Sequence, residues 1–204
     1  MAVKNVVFDV GGVLLQWNPP QVIAKLYPDP AVQAVLRRQI FEHADWHEFD
    51  RGTYDEQAAA EHFALLSGRD ATETLALMRA ARESLVPIEG TLALVEDLAA
   101  AGVHLYLLSN MPASTYEYLV ARYGFFSHFR HLVISGQLLI IKPEPAIYKH
   151  LVEKTGIIPA ESVFIDDVLK NIVAARECGL HAIQFQDPDS CRHALRAYLP
   201  DIGL

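Results

Sequence analysis

The stretch VVFDVGGVL, residues 6–14, ends an apolar run with a carboxylate at Asp9. The run before Asp9 is typical of a buried strand, where an ionised group is costly unless a partner or a cation compensates it. The same residues also fit an ordinary turn, because Asp and Gly are common turn formers. Taken alone the stretch favours the turn, so the choice depends on the rest of the chain.

Short apolar runs without polar alternation predict parallel strands that are buried on both faces. These runs are Val3–Val10, Val103–Leu108, His131–Ile134, Ser162–Ile165 and His181–Phe185. Helical patterns separate most of them, and strands that alternate with helices indicate a parallel sheet covered on both sides. The predicted fold class is therefore α/β, with a Rossmann-like three-layer core.

Residues 17–87 break this alternation, because their patterns predict helices and no strand. The predicted helices cover residues 21–27, 31–44, 55–66 and 71–85, with Pro- and Gly-containing breaks between them. A strand-free block after the first strand is best explained as an inserted all-helical cap. The expected division is a core of residues 1–16 and 88–204 with a cap at 17–87.

Polar residues stand at the ends of four of the predicted strands. They are Asp9, then Ser109-Asn110, then Lys142-Pro143 in the segment after the third strand, and Asp166-Asp167. Ligands of open α/β sheets bind outside the carboxyl ends of the strands. Each group alone is a weak signal, but all four in the right topological places favour a functional site over a turn at Asp9.

These four segments resemble the motifs of the haloacid-dehalogenase-like hydrolase superfamily. The matching segments are residues 8–14, 108–110, 142–145 and 164–171, in the family's order, and the resemblance covers the whole chain. Phe49-Asp50-Arg51-Gly52 and Ser109-Asn110-Met111-Pro112 are most similar to the small-capped phosphatases of the bacterial glucose-1-phosphate phosphatase type. The resemblance implies a phosphatase of a small phosphorylated metabolite, in the sugar phosphate class.

The resemblance also implies a role for each matching residue. Asp9 would be the nucleophile that forms an aspartyl-phosphate. Mg²⁺ would be held by Asp9, the backbone carbonyl of Gly11 and Asp167, with Asp166 as a neighbouring or water-mediated ligand. Ser109, the Asn110 backbone and Lys142 would hold the phosphate oxygens, and Asn171 would support Lys142 or the Asp pair.

Local charge independently favours a cation at this site. Three carboxylates and one ammonium leave a charge of −2, and unit charges about 4 Å apart interact by roughly 4 kcal/mol at an effective dielectric of 20. A phosphate anion would be repelled unless a divalent cation cancels that charge. Oxygen ligands suit Mg²⁺ better than Zn²⁺.

Gly11 departs from the family pattern, because most phosphatases of the superfamily have a second Asp there that protonates the leaving group. General acid catalysis is typically worth about 10² to 10⁴-fold in rate. We therefore expect a preference for acidic leaving groups, as in sugar 1-phosphates, acyl phosphates and aryl phosphates. A flat dependence of rate on leaving-group pKa would count against this expectation.

Two other functions remain open at the level of sequence. A metal-independent 2-haloacid dehalogenase also lacks the second Asp, although the adjacent pair Asp166-Asp167 makes little sense without a cation. A catalytically weak, phospho-ligand-binding regulatory protein would keep the site and lose turnover. Halide release without Mg²⁺ would identify the first, and phosphate binding without a trapped intermediate the second.

In the helical block, Trp46, His47 and Arg51 are possible contacts for the substrate beyond its phosphate. A partly solvated helix terminus, with Trp46 in the core of the cap, explains the same pattern equally well.

Bulk properties exclude several partners. The chain has 204 residues, 51% of them hydrophobic, and a formal charge of −8, which argues against nucleic acid. No apolar stretch approaches the length of a membrane span, and no signal peptide is recognised. Its two cysteines lack metal-ligand spacing and indicate cytosolic thiols. We expect a cytoplasmic monomer or homodimer.

Overall fold

The computed structural model describes residues 3–203, and its centre is a five-stranded parallel sheet in the order β3-β2-β1-β4-β5. The strands are β1 Asn5–Phe8, β2 His104–Ser109, β3 His131–Ile134, β4 Ser162–Asp166 and β5 His181–Gln184. All five predicted strands are confirmed. β1 pairs with both β2 and β4, so Asp9 leaves the sheet at its middle.

Helices cover both faces of the sheet. Alternate side chains of a strand point to opposite faces, so Val6 and Phe8 pack on one side and Val7 on the other. The first side is covered by α6 (Glu89–Ala100), α7 (Ala113–Arg122) and α10 (Pro188–Leu195), and the second by α8 (Pro145–Thr155) and α9 (Leu169–Glu177). Because helices cover both faces, the strands need no alternating polar side chains. The predicted three-layer α/β fold is confirmed.

The block between β1 and α6 forms a helical unit with its own apolar cluster. It contains α1 (Pro19–Leu26), α2 (Pro30–Leu36), a π-helix (Arg37–Phe41), α3 (Trp46–Arg51), α4 (Glu56–Ser67) and α5 (Ala71–Glu83). Buried residues from all of these elements make up the cluster, including Ile23, Ile40 and Phe63. Carboxylates such as Asp55 and Asp70 accept hydrogen bonds from the first turns of α4 and α5 and fix where those helices begin.

The predicted helix over residues 31–44 is confirmed as far as Phe41, but its second part is a π-helix and residues 42–44 lie outside it. α2 passes into the π-helix, where the Glu42 amide donates to the Arg37 carbonyl, and the segment ends at Phe41. A separate helix, α3, then begins at Trp46 and ends at Gly52, whose φ of 91° is left-handed. This break turns Trp46–Arg51 into a short helix of its own.

Two chain crossings connect the helical unit to the sheet, and they lie side by side. The Gln16 amide donates to the Val86 carbonyl at 2.8 Å, and the Ile88 amide donates to the Leu14 carbonyl at 2.9 Å. Leu15 and Pro87 form an antiparallel bridge between them. The division of the chain into a core and a cap remains a prediction, to which we return below.

A search of residues 3–203 for a helix long and apolar enough to cross a membrane finds none.

Candidate active site

The carboxyl ends of the strands bring the predicted polar residues together. Asp9 follows β1, Ser109 ends β2, and Asp166 ends β4, while Lys142 enters from the loop after β3. The Oδ1 atom of Asp9 accepts hydrogen bonds from Ser109 Oγ and from the Val10 amide, both at 2.7 Å. These contacts fix the carboxylate at the centre of the sheet edge.

Lys142 is a buried cation between two carboxylates. Its side chain is 1% exposed, and its Nζ lies 2.9 Å from Asp9 Oδ1 and 2.7 Å from Asp166 Oδ2. Burial alone would lower the pKa of Lys142, but Asp9 and Asp166 more than offset this and raise it. The ammonium therefore stays charged.

Asn110 holds the backbone that carries Lys142. Its Nδ2 donates to the Lys142 carbonyl at 2.9 Å, and the Lys142 amide donates to its Oδ1 at 2.8 Å. This reciprocal pair joins the end of β2 to the loop after β3. The Asn110 side chain is thus used for structure.

Asp166 is fully buried and its charge is distributed over several donors. Asn171 Nδ2 donates to both of its oxygens at 3.0 Å, and the Val168 amide donates to Oδ1 at 2.8 Å. With Lys142 on Oδ2, this carboxylate is well compensated. Asn171 lies against the Asp pair, where the sequence had suggested a supporting residue.

The carboxylates of Asp9, Asp166 and Asp167 converge as a cation site requires. Oxygen atoms from all three lie within 4.8 Å of one another. With the Lys142 ammonium they leave a local charge of −2, and every donor is an oxygen, which fits Mg²⁺. Burial, and then the neighbouring Asp166, raise the pKa of Asp167.

Gly12 makes the approach of Asp167 possible. Its φ is +77°, and a Cβ atom added there would lie 2.5 Å from Asp167 Oδ2, which is far inside contact distance. Any side chain at this position would displace the carboxylate. Gly12 is therefore a site residue that the sequence analysis treated only as part of a turn.

The Asp9 carboxyl holds its proton more tightly than usual. Its pKa is raised to about 7, because burial and then the Asp166 charge raise it by more than Lys142 lowers it. Because burial disfavours the charged form of Asp9, a cation bound beside it would stabilise the carboxylate.

A cavity of about 320 Å³ opens above these residues. Its floor includes Asp9, Ser109 and Lys142, and the helical unit supplies the opposite wall. Trp46 and His47, two of the predicted contacts, line this wall. Burial, followed by the Lys170 charge, lowers the pKa of His47, so its imidazole is more readily neutral.

Arg51, the third predicted contact, does not line the cavity. Its guanidinium instead binds Glu144 of the core, with Nη2–Oε1 at 2.6 Å and Nη1–Oε2 at 3.1 Å. Its Nε donates to Glu48 at 3.2 Å. The side chain leaves the end of α3 toward the loop after β3, and it joins the helical unit to the core.

Asp50 is an acidic residue of this wall that was not among the residues predicted from the sequence. It lines the cavity with Asp9, and no hydrogen bond or ion pair of its carboxyl is found among residues 3–203. Burial first, and then the charge of Asp9, raise its pKa well above the ordinary value. Its backbone carbonyl accepts a hydrogen bond from Ser135 Oγ at 2.5 Å, which fixes its position over the core.

Comparisons with known proteins agree with this geometry. The model of the haloacid dehalogenase-like hydrolase family matches residues 3–179. A sesquiterpene phosphatase of Aspergillus oryzae is 27% identical over 184 residues, covering 90% of each chain. A D-ribitol-5-phosphate phosphatase of Bacteroides thetaiotaomicron is 24% identical and covers 97% of this chain and 98% of its own.

Among solved structures, a haloacid dehalogenase family enzyme of Bacteroides thetaiotaomicron, in complex with magnesium and inorganic phosphate, superposes with a TM-score of 0.76. The two sequences are 22% identical, and the superposition covers 95% of this chain and 100% of that enzyme's chain. At that identity the likeness establishes the shared fold.

Proposed function

The chain belongs to the haloacid dehalogenase-like hydrolases, and from that premise we propose a Mg²⁺-dependent phosphatase in which Asp9 is the nucleophile. A phosphatase activity accords with the named relatives. The observation that carries the proposal is the meeting of three carboxylates, Lys142 and Ser109 at one end of a cavity. Such a set of charges suits a phosphoryl group and a divalent cation together.

In the first step, an Asp9 carboxylate oxygen attacks phosphorus, and the bond from phosphorus to the alcohol oxygen breaks. In the second step, water attacks the aspartyl-phosphate, which releases inorganic phosphate and restores the carboxylate. Ser109 Oγ, the Asn110 backbone amide and the Lys142 ammonium would bind the non-bridging oxygens throughout. Holding these groups rigidly keeps the reacting atoms in line.

Mg²⁺ would be held by Asp9, the Gly11 carbonyl and Asp167. When bound, it neutralises charge on the phosphoryl group. Asp166 is occupied by Lys142 and Asn171, so we assign it to positioning the ammonium and accept only a water-mediated contact with the cation.

We assign residues 17–87 to a cap over the core. Trp46 and His47 would contact the organic part of the substrate, whereas Arg51 would hold the cap to Glu144. The cap covers the cavity and limits the access of water to Asp9.

Asp50 offers the proton that Gly11 cannot. Its unpartnered carboxyl faces the cavity from the cap side, opposite the nucleophile, and its raised pKa keeps it protonated to a higher pH than an exposed carboxyl. A protonated carboxyl there would donate to the leaving alcohol oxygen and accept a proton from water in the second step.

For Asp50→Asn we therefore expect kcat with an alkyl phosphate to fall by about 10² to 10⁴-fold. With p-nitrophenyl phosphate the loss is expected to be much smaller, because that leaving group departs without a proton. Steady-state kinetics with both substrates measures the difference. Equal losses on the two substrates would assign Asp50 a structural role.

Mg²⁺ is expected to raise the melting temperature of the protein. A ligand at 100 times its Kd stabilises by about 2.7 kcal/mol, which corresponds to roughly 5–11 °C for a protein of this size. The shift should be larger at pH 8 than at pH 6: below about 7 the Asp9 carboxyl is protonated, and the cation must displace that proton. Differential scanning fluorimetry measures the shift.

Asp167→Asn is the matched variant, because it keeps the shape of the side chain and removes one ligand charge. Its melting temperature should respond little to Mg²⁺. If the melting temperature of the wild type did not change with Mg²⁺, or if both proteins changed equally, the assignment of the cation site would be contradicted.

Hydrolysis of phosphomonoesters with and without Mg²⁺ tests the function itself. Turnover only with Mg²⁺ is the expected result. Halide release from a 2-haloacid without Mg²⁺ would instead establish a dehalogenase, and phosphate binding without turnover a regulatory protein. The relatives' names specify a terpenoid and a sugar alcohol phosphate, so they do not select the sugar phosphate class that the sequence predicts. The cytoplasmic location and the oligomeric state remain predictions.

A further inference from the structure

Polar residues such as His47, Thr115 and Lys170 line part of the cavity, but most of the wall beyond the phosphate site is formed by apolar side chains. On the cap side these are Trp17, Phe41, Trp46, Phe49, Met78 and Leu85. Three of them form an aromatic group, with ring centroids 6.0 Å apart for Trp17 and Trp46 and 4.8 Å apart for Phe41 and Trp46. We call this set the aromatic wall.

The core side of the same cavity is similar. Met111, Pro112 and Leu119 line it next to the phosphate-binding residues Ser109 and Asn110. The substrate's organic group would therefore meet apolar surface from the cap and the core alike.

Two charged residues of the cavity wall, Arg82 and Glu56, pair with each other, although Arg82 Nε has no hydrogen-bond partner among residues 3–203. Arg82 and Glu56 line the cavity, and Arg82 Nη1 lies 2.7 Å from Glu56 Oε1. Arg79 binds the other oxygen of Glu56 at 2.8 Å. Glu56 thus has little capacity left for substrate hydroxyls.

A sugar fits such a wall poorly. Each buried hydroxyl that loses its water without finding a partner weakens binding by about five- to 150-fold, and a hexose carries several. A hydrocarbon group gains instead by leaving water, by about fourfold in affinity for each buried methylene.

We propose that the preferred substrates are phosphate monoesters whose organic group is an aliphatic or aromatic hydrocarbon. This inference rests on the proposed phosphatase function and names its substrate class. The volume of about 320 Å³ lies at the small end of the range for small-molecule sites. We therefore expect compact groups of about six to ten carbons.

The first test is a series of primary alkyl phosphates from ethyl to octyl, with glucose 6-phosphate as the comparison. All of these have a primary alcohol as leaving group, so differences in kcat/KM report the cavity and not the acidity of the alcohol. Between butyl and octyl phosphate, which differ by four methylenes, we expect an increase of about 250-fold. Hexyl phosphate should exceed glucose 6-phosphate by a similar factor.

The second test measures binding without turnover. The chain has two tryptophans, and both Trp17 and Trp46 line the cavity, so intrinsic fluorescence reports its occupation directly. With Mg²⁺ present, octylphosphonate, which has seven more methylenes, should bind about 10⁴-fold more tightly than methylphosphonate. Trp17→Ser should weaken octylphosphonate about tenfold and leave methylphosphonate unchanged.

Trp17 suits this test because it is 40% exposed and is not itself a member of the buried apolar cluster of the helical unit. Leu65→Ser is the matched control, since Leu65 is 86% exposed on α4 and lies outside the cavity. The control is expected to bind both phosphonates like the wild type.

The two proposals fail in different ways. No hydrolysis of any ester, including p-nitrophenyl phosphate, would overturn the phosphatase function. Hydrolysis with rates that are flat from ethyl to octyl, or highest for glucose 6-phosphate, would retain that function and overturn the apolar substrate class. Equal affinity for the two phosphonates would overturn it as well.

Discussion

Asp9→Asn is expected to reduce kcat/KM for a phosphomonoester by on the order of 10⁴ to 10⁶-fold, the loss typical when an enzyme is deprived of its nucleophile. The amide keeps the shape of the carboxyl group and can still accept the hydrogen bond from Ser109 Oγ. It cannot form the acyl phosphate bond at a useful rate. Steady-state kinetics with Mg²⁺ present measures the loss.

Asp189→Asn is the control for this variant. Asp189 is an exposed residue in the first turn of α10 and does not line the cavity. Its activity should stay within twofold of the wild type. If Asp9→Asn were as active as this control, Asp9 could not be the nucleophile. Mass spectrometry of acid-quenched enzyme adds a second check, because a phosphorylated wild-type Asp9 peptide is expected.

Lys142→Met is expected to have the largest effect on stability, about 3–5 kcal/mol in the free energy of unfolding. The methionine fills similar volume but leaves the buried carboxylates of Asp9 and Asp166 without their shared cation. Urea denaturation at pH 8 without Mg²⁺ measures the change. Activity should be lost as well, because we assign the ammonium to binding the phosphate oxygens.

Lys4→Met is the matched control for the loss of a lysine ion pair. Lys4 also has a carboxylate partner, Glu161, at 2.8 Å, but its side chain is 62% exposed. Water screens such a pair, and the expected cost is about 0–1 kcal/mol. If the two variants lost equal stability, the description of Lys142 as the electrostatic centre of the site would be wrong.

The sheet could be predicted because each strand contains consecutive apolar residues. Val6, Val7 and Phe8 are all buried, and only a strand covered on both faces requires that. The strand ends could be predicted for a related reason. Asp9 and Asp166 are polar residues at the ends of apolar runs, and parallel strands deliver their carboxyl ends to the same edge.

The contribution of the helical unit could not be predicted in the same way. Asp50 and Arg51 are neighbours in sequence, yet one faces the cavity and the other binds Glu144. Which one turns inward depends on where α3 begins, and that follows from the π-helix before it. The local sequence pattern does not indicate which of the two side chains faces the cavity. The start of α10 does have a local signal, because Asp187 precedes Pro188 and accepts a hydrogen bond from the Ser190 amide.

The paired crossings at residues 14–16 and 86–88 make the helical unit exchangeable. Because Leu15 and Pro87 already face each other across one bridge, a tight turn could reconnect them and leave the strand order unchanged. The helical unit between Leu15 and Pro87 could be lengthened, shortened or replaced without a change in the connections of the sheet. The proposed nucleophile and phosphate-binding groups at the sheet edge could therefore be kept while the helical unit, with the proposed proton donor and aromatic wall, is changed.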